Sequence, residues 1–193
     1  MKTTVVIPNY NGKHFLQDCL DSLLQSTVEI AVIVVDNGST DGSVSWIQEH
    51  FPQVKLICFS ENKGFCTAVN TGIEAAATPY VFLLNNDTKT DRFCLERLER
   101  AMEADEKIFS VGAKMLSMKE PELVDTAGDL YSAFGWAYAI GKGRLSSNYT
   151  APKRVFSNCA GAALYRKAHL EQIGGFDELH FAYLEDVDIG YRA

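Results

Sequence analysis

The sequence predicts an α/β domain built on a mostly parallel central sheet with helices against its faces. Two observations carry that prediction. Short continuous apolar runs at residues 5–7, 30–35 and 80–84 read as strands buried on both faces. Between them, apolar residues recur every three to four positions, the period of an amphipathic helix. Parallel strands cannot be joined by tight turns, and crossover helices supply the connection.

The elements follow in order. Val5-Val6-Ile7 is a β-branched run stopped by Pro8, as a buried strand ending in a loop should be. Phe15, Leu16, Cys19, Leu20, Leu23 and Leu24 then form one helical stripe. The strand at 30–35 breaks into Asp36-Asn37-Gly38-Ser39-Thr40-Asp41-Gly42, a polar loop with several capping residues for a helix carrying Val44, Ile47 and Phe51. Residues 54–59 predict a strand, and Phe65, Ala68, Val69, Gly72, Ile73 and Ala76 a helix. The strand at 80–84 ends abruptly at Asn85-Asn86-Asp87, and a helix resumes near Asp91 with Leu95, Leu98 and Met102 on one side. One further strand is expected over 109–116. Residues 125–151, rich in Gly, Ser, Tyr and Ala without a period, predict loops and short strands. A strand over 160–165 and a helix over 168–173, closed by Gly174-Gly175, complete a single domain over 1–193.

Chain-wide properties exclude several classes. The net charge of −7 argues against a protein that binds nucleic acid through a broad basic surface. Cys19, Cys58, Cys66, Cys94 and Cys159 form no CxxC pair, so they offer no zinc site, and their odd count fits a reducing compartment. No apolar window approaches the roughly 18 residues of a membrane span, and the start lacks a signal peptide's apolar stretch. A cytoplasmic location is the expectation, and there the sequon Asn148-Tyr149-Thr150 is chance.

Three strand ends carry polar clusters: Pro8-Asn9-Tyr10-Asn11, Asp36-Asn37 and Asn85-Asn86-Asp87. Singly, each reads equally as ordinary loop chemistry. If the strands are neighbours, all three line the crevice where open α/β sheets bind ligands. Neither GxGxxG after the first strand nor GxxxxGK[ST] is present, so a dehydrogenase or P-loop site lacks its phosphate cradle. Asp36 can accept from a nucleobase N–H or ribose hydroxyls. Asp87 would repel a diphosphate unless a divalent cation bridged them, and Mg²⁺ binds in that way. Near the end, Glu185, Asp186 and Asp188 put three carboxylates within four positions. Asp186 is a candidate general base. The same acids would also suit a helix N-terminus, with Arg192 pairing back to Asp188, and both readings can hold together.

These stretches, with Asn62-Lys63-Gly64-Phe65, Gly161-Ala162-Ala163 and Gly174-Gly175-Phe176-Asp177, run in order along nearly the whole chain. Together they resemble the family-2 glycosyltransferases, most closely their rhamnosyltransferase-like branch. The resemblance implies a GT-A domain with a Rossmann-like sheet, acting as an inverting glycosyltransferase. Its donor would be a nucleotide-diphosphate sugar, a UDP-sugar or dTDP-rhamnose, and its acceptor a glycan or lipid-linked sugar. Pro8, Tyr10, Asn11 and Asp36 would hold the nucleoside, and Asn62, Gly64 and Asn70 would lie along the nucleotide. Asn85, Asn86 and Asp87 stand where the family has its DXD motif, with Asp87 as the ligand of a divalent metal, Mg or Mn. Gly161 and Ala162 would floor the donor sugar, and Asp186, with Glu185 beside it, would be the catalytic base.

Two departures qualify those roles. Asn85 replaces the first DXD carboxylate with a neutral amide. The family continues beyond the acidic motif, often with a late metal-binding histidine, so a chain cut short at Ala193 is expected. A non-catalytic nucleotide-sugar-binding domain of a larger protein is therefore the alternative. A nucleotidyltransferase would share the architecture, but this chain has no glycine- and Arg/Lys-rich loop after the first strand. Acceptors on lipid carriers would bring the protein to the inner face of the membrane as a peripheral partner.

Overall fold

A computed structural model describes residues 1–193. Its main sheet has six strands in the order β3-β2-β1-β4-β10-β5. Four of them follow the predicted runs: β1 (Thr3–Asn9), β2 (Ile30–Asp36), β3 (Lys55–Cys58) and β4 (Tyr80–Leu84), all parallel. Helices α1 (Lys13–Leu24), α2 (Ser43–His50) and α3 (Phe65–Ala75) make the crossovers. From β1 the chain winds outward through β2 and β3, then returns to place β4 on the other side of β1. The direction of winding reverses between β1 and β4, and ligands bind at such a point. After α4 (Cys94–Met102) come β5 (Ser110–Gly112) and, much later, β10 (Ala162–Arg166), which inserts antiparallel between β4 and β5.

Strand alternation divides the core into two layers. Val5, Ile7, Val34, Phe82 and Leu84 face α1, α2 and α4 through Leu16, Leu20, Ile47 and Leu95. Val6, Val35, Val81, Leu83 and Ala163 face α3 and two later helices, α5 (Lys167–Gln172) and α6 (Glu185–Arg192), through Val69, Leu170 and Ile189. Each Val, Leu, Ile or Phe among them contributes about 1.5–3 kcal/mol on burial. Gly72 lets α3 approach the sheet closely, since a Cβ there would collide with the side chain of Val6.

The strand expected over 109–116 is broken. Its first part, β5, pairs with β10, while β6 (Met115–Leu116) pairs with β7 (Val124–Thr126) in a separate ribbon. The ladder ends where Ala113 donates to the carbonyl of Ala162 at 2.9 Å, and the chain then leaves the sheet. Residues 125–151 hold the predicted short pieces: a hairpin of β8 (Asp129–Tyr131) and β9 (Ala137–Ala139), and one 3-10 turn (Ser146–Asn148).

Candidate active site

The crevice opens because β1 outlasts its pairing with β4. The β1–β4 register ends at Val6 with Leu83, whereas β1–β2 pairing continues to Asn9 with Asp36. The Asn9 carbonyl accepts from the Asn37 N–H at 2.7 Å, so the backbone of Asn9 points to β2. Pro8 therefore points to the side where β4 has already left, and its missing N–H leaves no ladder bond unmade.

One buried amide ties the three strand ends together. Asn9 Nδ2 donates to Asp36 Oδ2 at 2.8 Å and to Ser39 Oγ at 3.2 Å. Its Oδ1 accepts from Asn86 Nδ2 at 2.7 Å. Asp36, only 1% exposed, also accepts from the Ser39 N–H at 2.9 Å. Two of a carboxylate's roughly four acceptor positions are thus committed inside the protein. Gly12 belongs to this arrangement, because a Cβ there would collide with the Asn86 amide. Asn37 makes the next link: it donates to Asn62 Oδ1 at 2.9 Å and to the Gly64 carbonyl at 3.0 Å, and accepts from the Lys63 N–H at 2.8 Å. Asn11, at φ 50°, accepts from the Thr40 N–H at 2.8 Å. Tyr10 stays exposed at the rim and Pro8 half-buried.

On the β4 side, the Asn85 N–H donates to the Gly161 carbonyl at 2.9 Å, and Ala162 pairs with Leu84. A Cβ on Gly161 would come within 3.1 Å of Asn85 Nδ2, so small residues keep that floor open. Asp87 is exposed at the strand end. No group of three or more His, Cys, Asp or Glu side chains is arranged to hold a metal ion by itself. A lone exposed carboxylate beside two amides suits a Mg²⁺-type cation that takes its remaining oxygens from phosphates and water. The donor set fits a metal shared with a ligand.

Two predicted nucleotide neighbours have partners within the chain. Gly64, at φ 88°, permits a close approach, and the group approaching is Phe181, whose carbonyl would lie 2.8 Å from an added Cβ. Asn70 is bound to the segment after α5: its amide donates to the Phe176 carbonyl at 2.8 Å and accepts from the Phe176 N–H at 3.0 Å. It pins the turn after α5.

The acids at 185–188 begin α6, as a helix N-terminus should. The turn before them is strained, with Tyr183 at φ 72° and Leu184 at φ 66°. Left-handed conformations of such residues cost about 1–3 kcal/mol each and persist where the surroundings impose them. Arg192 holds the far end, donating to Asp188 Oδ2 at 2.8 Å and to the carbonyls of Ile173 and Gly175 at 2.8 and 2.9 Å. The pairing with Asp188 matches the sequence; the capping of α5 adds to it.

Asp186 accepts from the Val187 N–H at 2.8 Å, and burial pushes its carboxyl above the ordinary carboxylate range. Glu185 is raised too, by burial and then by the Asp186 charge. A third carboxylate completes the corner. Burial, then the charge of Asp186, pushes Asp129 up to about 6. Asp129 Oδ2, Ser157 Oγ and Glu185 Oε2 are buried without a hydrogen-bond partner. Asp129 bridges Ser157 across an antiparallel contact, and α6 packs so closely on Ser157 that a Cβ on Gly190 would lie 2.6 Å from the Ser157 Cβ.

The sequence gives Asn9 and Asn37 no role beyond membership of their strand-end clusters, and it does not single out Gly12, Asp129 or Ser157. The signal for Asn9 and Asn37 was their place at strand ends. Asp129 had none, since a three-residue strand shows no period.

This sheet, with its crevice at the β1/β4 reversal, is the GT-A fold. It matches the S. aureus TarS 1–349 structure in complex with UDP-GlcNAc at TM-score 0.68 and 19% identity, covering 100% of this chain and 53% of that one. A mannosyltransferase from Pyrobaculum calidifontis, in complex with GDP-Man and Mn²⁺, matches at TM-score 0.66 and 20% identity, over 92% of this chain and 48% of that one. The chain belongs to glycosyl transferase family 2, whose family model matches residues 4–174. It is 27% identical to the N-acetylglucosaminyl-diphospho-decaprenol L-rhamnosyltransferase of Mycobacterium tuberculosis, across 97% of this chain and 69% of that protein. The chain thus spans about half the length of the solved relatives and about two thirds of the curated one.

Proposed function

We propose that this chain is the donor-binding and catalytic core of an inverting glycosyltransferase, with Asp186 as its base. The observation that carries the reading is the pairing of two unlike places. A crevice is knitted from three strand ends, and a partly desolvated carboxylate stands at the start of α6. Burial raises the proton affinity of Asp186, which suits a base that must take a proton from a hydroxyl near neutral pH.

In this reading the nucleoside lies against Pro8, Tyr10 and Asn11, with Asp36 behind them fixing Asn9 and the Ser39 loop. The diphosphate runs past Asn86 toward Asp87, and the sugar rests on Gly161 and Ala162. Asp87 would hold a divalent cation together with the donor phosphates, Asn85 offering at most a neutral oxygen. When bound, that cation neutralises charge on the departing diphosphate, an effect worth several kcal/mol. Asp186 accepts the acceptor hydroxyl's proton as that oxygen forms its bond to the anomeric carbon. The bond from that carbon to the phosphate oxygen breaks, and its electron pair leaves with the nucleoside diphosphate. A single displacement inverts the anomeric configuration.

A UDP-sugar or dTDP-rhamnose is the proposed donor. A lipid-linked sugar is the proposed acceptor, in line with the mycobacterial relative's name. No helix is long and apolar enough to cross a membrane.

A thermal-shift panel of UDP-GlcNAc, dTDP-rhamnose and their parent diphosphates, with and without Mn²⁺, tests the reading. Ligand at a hundred times Kd stabilises the folded chain by about 2.7 kcal/mol. At least one donor should raise the Tm, more strongly with metal. No shift with any of them overturns the donor site. Binding without transfer or donor hydrolysis would leave a recognition domain in its place.

A further inference from the structure

The β8–β9 hairpin wears its apolar side outward. Alternate residues of a strand face opposite sides. Tyr131 faces the body of the protein, its ring stacked on Phe156 with centroids 5.1 Å apart, on the side where Asp129 bridges Ser157. Leu130 therefore faces away, directly opposite Tyr138 on the partner strand. Both are more than half exposed, and the hairpin tip adds Phe134 at 89% and Trp136 at 65% exposure. The solvent face of a hairpin is normally polar, and a contiguous apolar patch marks an interaction surface.

Charge selects the partner. The chain carries a net charge of −7, yet no Asp or Glu occurs from Leu130 through Arg166. Lys142, Arg144, Lys153 and Arg154 lie in that stretch, all exposed. Of these, Lys142 has an acidic neighbour, Asp125 at 3.7 Å. Lys153 and Arg154 immediately precede the segment held at the hairpin's foot, where the Phe156 N–H donates to the Asp129 carbonyl at 2.9 Å and the Phe156 ring stacks on Tyr131. Aromatic side chains flanked by unpaired basic residues fit the headgroup region of an anionic bilayer. A second copy of this chain meeting the patch face to face would oppose like charges.

We propose that the β8–β9 hairpin docks this chain on a membrane bearing anionic lipid, with Phe134 and Trp136 at headgroup depth and Arg144, Lys153 and Arg154 over the lipid charges. The purpose of the docking rests on the functional reading above. Asp129, at the root of the hairpin, lies in the field of Asp186, so docking holds the acid corner where a lipid-linked acceptor would arrive.

The chain has two tryptophans, Trp46 and Trp136, so a Trp46→Phe background isolates the hairpin's own fluorescence. Vesicles of phosphatidylcholine with 30% phosphatidylglycerol, roughly an anionic leaflet's charge, should sediment the chain, shift Trp136 emission to the blue and quench it when the lipid tails are brominated. The Phe134→Ser/Trp136→Ser pair should lower partitioning at least about tenfold, since each buried aromatic contributes about that much. The Lys153→Gln/Arg154→Gln pair should lower it by roughly thirtyfold on the anionic vesicles and little on pure phosphatidylcholine. No sedimentation by the unaltered chain overturns the proposal. So does sedimentation indifferent to the tip pair, or a solution dimer that the tip pair dissolves. Donor-induced thermal shifts of the tip pair should equal those of the unaltered chain; their absence in both would bear on the donor site alone.

Discussion

Two carboxylates of the same type, Asp36 and Asp186, sit in opposite conditions. Asp36 is buried at the end of β2, but an amide and a backbone N–H meet its two oxygens at 2.8 and 2.9 Å. Asp186 is less buried, has one backbone donor from its own turn, and shares its corner with Glu185 and Asp129. The first surroundings satisfy the charge and the second leave it poorly compensated. Buried polar groups that lack partners are costly and persist mostly where chemistry uses them. A satisfied network suits a rigid floor for a nucleotide, and an unsatisfied corner suits a group that must gain and lose a proton.

The largest expected effect lies in the second region. Asp186→Asn should lower transfer by about 10²–10⁴-fold while donor-induced thermal shifts persist. Near-normal turnover in a variant that binds donor would remove the base assignment. Next comes the floor. Asn9→Ala strips Asp36 of its side-chain donor and frees Asn86. It should cost about 2–3 kcal/mol of stability and roughly 5–10 °C of Tm, read by thermal melting. An unchanged melt would show that the network is ornamental. Asp87→Asn should remove the metal-dependent part of donor binding, about tenfold, and change nothing in EDTA. Equal loss in both conditions would argue against a metal ligand.

The smallest effect is a shift in pH dependence. Burial and the Asp186 charge raise Asp129 to about 6, so the ionised pair repels, and each group favours the other's protonated form. Asp186→Asn should move the Asp129 titration, read by carboxyl NMR, to lower pH, because Asp129 loses a neighbouring negative charge. A titration that stays in place would separate the two groups. The same raised value has a sign for stability. The folded chain holds the Asp129 proton up to about 6, whereas the unfolded chain releases it near 3.9, so this group's contribution declines as pH rises through that window. Asp129→Asn should therefore raise the Tm more at pH 7.5 than at pH 4.5.

The contrast between the regions also governs what could be read in advance. The parallel half was legible because each strand is a continuous apolar run and each helix shows its stripe. Its polar loops could be located because they are strand ends, down to Asp36, Asn86 and Asp87. Which amide stands at the centre could not be read, since a buried Asn9 and an exposed Asn11 look alike in sequence. Asn70 and Gly64 match recurring positions of the family; in the fold Asn70 binds Phe176, and Gly64 meets both Phe181 and Asn37. The other half resisted because strands of two or three residues have no period, which hid Asp129 and split the strand expected over 109–116. Long-range pairing, such as Asp129 with Ser157, is decided by tertiary packing that local pattern does not encode.

The stereochemistry of the first-formed product tests the central claim most directly. NMR of a transfer reaction, recorded before any reducing product can mutarotate, reads the anomeric configuration of the new bond against that of the donor. A single displacement with Asp186 as base predicts inversion, together with loss of that product in Asp186→Asn. A product that retains the donor's configuration would contradict it.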